Sequence, residues 1–114
     1  MESSTPFAQK RKYERKPFVK VIRFYLPAPH LEKLKKIDCE GVTVDISEGG
    51  LGLITDYPLR RGDTLFFEPE IRVNDFTAMA STVAWTNEVE NNVYRVGLEF
   101  HMVRFSKPHL DVTL

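Results

Sequence analysis

The stretch "CEGVTVDISEGGLGLIT", residues 39–55, reads as two short strands folded about a tight turn. β-Branched and aliphatic residues suit a pleated, half-buried surface. "CEGVTVDIS" supplies one strand, with Val42, Val44 and Ile46 predicted on one face, and "GLGLIT" supplies the next. "SEGG" is the turn between them. Asp and Ser favour turns because their side chains bond nearby backbone N–H groups. Glycine there is expected to supply the positive φ of a hairpin.

The same pattern repeats outward along the chain. "PFVKVIRFYL", residues 17–26, has apolar residues on both alternating faces and reads as a strand covered on much of both sides. The prolines of "PAPHLEKLKKIDCEG" are predicted to stop it. Residues 27–38 then form an insertion, as a loop, a hairpin or one helical turn, since Leu31 and Leu34 alone make a weak apolar stripe. "DYPLRRGD" is a further turn. "TLFFEPEIRV" is extended and interrupted by Pro69, which predicts a sheet edge or a bend. "FTAMASTVAWTNEV" and "NVYRVGLEFHMV" are long strands joined by "ENN", while the tail "RFSKPHLDVTL" carries no clear signal. About six strands at short spacing, without sustained helical periodicity or βαβ alternation, predict an all-β barrel or sandwich.

The 114 residues suit one domain, and no linker or repeat divides them. Residues 1–9 are predicted to be a flexible N-terminus and 10–114 a single domain. No apolar run approaches the ~20 residues of a membrane span, and "MESSTPFAQKRK" lacks the apolar region of a secretory signal. A single cysteine, Cys39, cannot form an internal disulfide, so a reducing, cytoplasmic setting is expected. The net charge of zero hides an asymmetry: residues 1–36 hold ten Lys or Arg against three Asp or Glu, and residues 37–114 hold six against thirteen. The basic excess is densest in "KRKYERK", residues 10–16, which as a focused patch attracts anions.

Catalytic chemistry is not legible. His30, His101 and His109 are scattered, Cys39 has no partner, and no metal-ligand spacing occurs. No phosphate-binding or dinucleotide-binding glycine motif follows a strand. Glu68 and Glu70 flank Pro69 and read as a solvated edge, and nothing around Ser47 forms a nucleophile elbow. No enzyme and no cofactor are expected.

Two stretches gain meaning together. In "RKYER", Arg11 and Arg15 are four apart, and an arginine fork matches both phosphate oxygens and the O6/N7 edge of guanine. The "DISEGG" turn offers Asp45, Ser47 and Gly50. An RxxxR segment before the first strand and a DxSxxG turn between the next two resemble the PilZ domain family, the cyclic di-GMP receptors of bacteria. "STVAWT", with Val83 and Trp85, and "YRVGLEF", with Gly97 and Phe100, resemble later strands of that family, so the likeness spans about residues 10–102.

The resemblance implies a six-stranded antiparallel β-barrel and a bacterial cyclic di-GMP receptor. It implies that Arg11 and Arg15 hold phosphates and guanine edges. Asp45 and Ser47 would hydrogen-bond the ligand from the barrel surface, with Gly50 allowing its approach; Lys10 and Gly49 are secondary members of the set. A carboxylate suits guanine N1–H and N2–H. Trp85 reads as core or barrel rim rather than as a stacking surface. With no output domain in view, a signal would pass to a downstream protein partner after the RxxxR arm orders on the ligand. The alternatives are a nucleic-acid-binding barrel, which the acidic charge of residues 37–114 disfavours, and a ligand-free interaction module.

Overall fold

The computed structural model of the protein describes residues 14–29 and 34–105. Residues 1–13, with Lys10, Arg11 and all of the expected flexible arm but its last residues, lie outside the described residues, as do residues 30–33 and the tail beyond 105. Seven strands occur in chain order: β1 (Lys16–Pro17), β2 (Val21–Pro29), β3 (Leu34–Ile46), β4 (Gly50–Thr55), β5 (Thr64–Val73), β6 (Phe76–Glu90) and β7 (Val93–Phe105). No helix long and apolar enough to cross a membrane occurs among the described residues.

The strands run in the order β1-β3-β2-β5-β6-β7-β4, and β4 pairs back onto β3. Strands β2 to β7 therefore close a six-stranded ring, antiparallel throughout, and β1 adds a short extra pairing to β3. Closure leaves the inner face to be filled by side chains. Phe24, Leu51, Leu53, Leu65, Val73, Val83 and Val96 fill it and are essentially inaccessible to solvent.

Three expectations are corrected by the register. First, Val42 and Ile46 do not share a face. Regular alternation breaks between Thr43 and Asp45, where β3 carries a bulge against β4. A bulge inserts one residue and flips the parity of the residues beyond it. Thr43 and Ile46 are consequently buried, whereas Val42 remains 39% exposed. Second, the prolines of residues 27–29 do not end the strand: β2 runs through Pro29 and pairs with β3 as far as Leu34. Beyond Tyr25, β2 has no registered partner in β5 among the described residues, so a missing N–H there costs no β2–β5 ladder bond. The insertion is thus an extended β2–β3 hairpin. Third, the "SEGG" glycines do not have positive φ; among the described glycines only Gly62, at 93°, does.

Pro69 does mark an irregularity, as its position suggests. It follows a cis bond, and the β5–β6 register is interrupted between Phe66 and Ile71. Glu68 and Glu70 are solvent-facing there and meet Lys36 at 3.4 Å and Arg104 at 2.7 Å.

Candidate functional site

The outer face of the barrel is built from the residues that alternate with the core. On β4, Leu51 and Leu53 point inward, so Gly50, Gly52 and Ile54 face outward. On β7, Val96 and Leu98 point inward, so Arg95, Gly97 and Glu99 face outward. The bulge on β3 brings Asp45 to the same side, opposite Gly52. A second irregularity on β6, between Val83 and Trp85, brings Trp85 opposite Gly97.

One row across four strands results: Asp45, Gly52, Gly97, Trp85. Its two glycines have a steric role. A Cβ on Gly52 would stand 2.8 Å from Asp45 Oδ1, and one on Gly97 would stand 2.2 Å from Trp85 Nε1. The carboxylate therefore lies down over β4 and the indole lies down over β7, approaching each other from opposite sides. Trp85 is 44% exposed, so the ring does not belong to the core. A planar, half-exposed indole is a stacking surface.

The N-terminal strand delivers the arginine. β1 pairs Pro17 with Asp45 and Lys16 with Ile46, which sets Arg15 beside the turn. Arg15 Nη1 donates to Asp45 Oδ1 at 2.9 Å. The base of this strand is fixed from inside: the buried Thr43 hydroxyl donates to Phe18 O at 2.6 Å and accepts from Lys20 N–H at 2.9 Å. Phe18 N–H in turn donates to Val44 O, on the bulged residue, at 3.1 Å. The same bulge thus aims Asp45 outward and anchors the segment that carries Arg15.

The turn is held by its own polar groups. Ser47 N–H donates to Gly50 O at 2.9 Å, and Ser47 Oγ accepts from Gly49 N–H at 3.1 Å. The serine hydrogen reaches only a long 3.5 Å contact to Gly50 O, so its donor capacity is nearly free. Gly49 O accepts from Phe100 N–H at 2.9 Å, tying the turn to β7. Gly50 is required by proximity rather than by conformation, since a Cβ there would stand 1.9 Å from Leu98 O.

Of the residues expected from sequence, Arg15, Asp45, Ser47, Gly49 and Gly50 are gathered at one end of this row. Arg11 and Lys10 lie outside the described residues. Sequence reasoning misses Gly52, and of its two environments for Trp85, core or barrel rim, the exposure of the ring excludes the core. A signal for Gly52 is present: in "GLGL" both glycines share one face of a strand whose leucines take the other. A separate polar cleft at the barrel mouth, lined in part by Arg23, Cys39, Asp56 and Tyr57, contains none of these groups. Burial pushes the Cys39 thiol pKa up, and Asp38 and Asp56 add to that shift. Among the described residues no set of three His, Cys, Asp or Glu side chains is placed to hold a metal ion.

The closed six-stranded barrel thus carries an arginine, an Asp-Ser turn and a glycine-backed indole on one outer face. Residues 9–107 match the PilZ domain model, and the chain belongs to the PilZ domain family. As a family these are cyclic di-GMP receptors, binding modules rather than enzymes. No curated protein and no solved structure gave a match to the chain.

Proposed function

We propose that this protein is a non-enzymatic cyclic di-GMP receptor that passes its signal to a partner protein. The observation that carries the reading is the 2.9 Å contact between Arg15 and Asp45 on the outer barrel face, at the end of a row closed by Trp85. A ligand with two phosphates and two guanines needs an arginine fork, a carboxylate for guanine N–H donors and a flat surface for a base. Arg15, Asp45 and Trp85 offer these within one row and its flank. Ser47 adds a nearly free hydroxyl donor.

In this reading Arg11 joins Arg15 on the ligand, and binding orders residues 9–14, ahead of the already placed Arg15 and Lys16, against the turn. Phosphate charge offsets the mutual repulsion of Lys10, Arg11, Lys12, Arg15 and Lys16 and gives the forks acceptors. The newly ordered arm and the "DISEGG" turn then form the surface that a partner reads. Calorimetry with cyclic di-GMP, using GTP and a short single-stranded RNA as controls, tests binding. Saturable heat with cyclic di-GMP alone is expected; its absence, or equal heat with RNA, defeats the reading. Hydrogen exchange at residues 9–14 tests the arm, and protection unchanged by ligand defeats that part.

A further inference from the structure

Arg95 faces outward on β7, two residues before Gly97 and across from Ile54 on β4 and Asn87 on β6. None of those three neighbours is acidic. The residue is partly buried, and its Nε is inaccessible to solvent and without a hydrogen-bond partner. No ion pair among the described residues reaches it. A guanidinium carries five donors and cannot shed its charge, so a covered, unmatched Nε–H is an unmet cost in the free protein. The neighbouring cation differs in this respect: Arg15 already has Asp45 as its counter-charge. Arg15 and Asp45 offset each other within the row, and the two outward charges that flank it on β7 are Arg95, at the edge of the surface that Trp85 and Gly97 create, and Glu99, on the side of the turn.

We propose that Arg95 is a ligand-binding residue of the barrel wall, whose fork takes a phosphate of the bound dinucleotide from the side opposite the N-terminal arm. This rests on the cyclic di-GMP reading and deepens it. A phosphate there supplies acceptors for Nε and a terminal amino group together, the bidentate geometry that arginine provides and lysine does not. The ligand would then be held between charges from two different parts of the chain. One is Arg15, beside β3, and the other is Arg95 on β7.

The test compares wild-type, R95K and R95Q proteins by calorimetry with cyclic di-GMP at low and high salt, alongside thermal unfolding of each. R95Q is expected to bind at least tenfold more weakly, with a shallower salt dependence, while its unfolding temperature stays at or above that of the wild type. R95K is expected to regain part of the affinity and the steeper salt dependence, because charge returns without the fork. Binding by R95Q within twofold of wild type overturns the assignment while leaving the receptor reading intact. Equal loss of affinity and thermal stability in both variants also overturns it, by giving Arg95 a structural role. A wild-type protein that gives no heat overturns the receptor reading itself, and this inference with it.

Discussion

In the proposed receptor, individual side chains divide into those that attract the ligand and those that make room for it. Arg15 and Asp45 are both partly solvent-exposed, so their ion pair contributes at most about 1 kcal/mol to stability. Charge-assisted bonds to a ligand are worth more, about 1.5–3 kcal/mol each. Arg15→Ala is thus expected to leave the unfolding midpoint nearly unchanged and to weaken cyclic di-GMP binding about tenfold or more, as calorimetry would measure. The glycines behave in the opposite way, and two of them differ from each other. At Gly50 the obstruction to a methyl is Leu98 O, a backbone atom of β7 that cannot step aside. Gly50→Ala is expected to cost about 1–3 kcal/mol or more in denaturant unfolding. At Gly97 the obstruction is the Trp85 ring, a side chain that can rotate away. Gly97→Ala is expected to lose less stability but to displace the indole, shifting the emission of the chain's single tryptophan to the red and weakening ligand binding.

At the level of elements, the decisive feature is the β3 bulge, and it explains which part of the site is readable in advance. Asp45, Ser47 and Gly50 are legible because their chemistry and spacing are local. The face on which Asp45 emerges is not, because strict alternation places Val42, Val44 and Ile46 together and one inserted residue reverses that parity. Substitution separates the two registers. Ile46→Ala opens a cavity in the core and is expected to cost about 2–4 kcal/mol. Val42→Ala, at a half-exposed position, is expected to cost less than about 1 kcal/mol. Strict alternation would predict similar costs at both. Thr43 gives a second test of the element: its hydroxyl secures Phe18 and Lys20, the base of the arm. Thr43→Val keeps the shape and leaves those backbone groups unmatched, at an expected cost of about 1–3 kcal/mol. Faster hydrogen exchange at residues 18–20 should accompany it. The β2–β3 pairing is illegible for a related reason: prolines break a strand bonded on both edges, and nothing local reveals that the β2–β5 pairing stops at Tyr25.

Across the whole molecule, the all-β architecture is readable from strand count and turn spacing, whereas closure of the ring by β3 and β4 is a long-range outcome that no local pattern encodes. The single thiol gives a global measurement. Because burial raises its pKa in the folded state, the folded protein holds its proton at a pH where the unfolded chain has released it. Its contribution to stability is therefore fully present below the ordinary thiol range and is lost as pH rises through and beyond it. Stability should fall with alkaline pH more steeply in the wild type than in Cys39→Ser, as measured by unfolding across that range. Alkylation at mildly alkaline pH should be slower in the folded than in the unfolded chain. The four-strand row has a further consequence. Asp45, Gly52, Gly97 and Trp85 become neighbours only once β3, β4, β6 and β7 have all docked. A partly assembled or nicked chain has no such row, so recognition is conditional on complete maturation. Whatever occupies the row selects finished molecules from the folding ensemble and lengthens their lifetime against proteolysis. At a hundredfold excess over Kd that selection amounts to about 2.7 kcal/mol, enough for the occupant's concentration to influence how much folded protein persists.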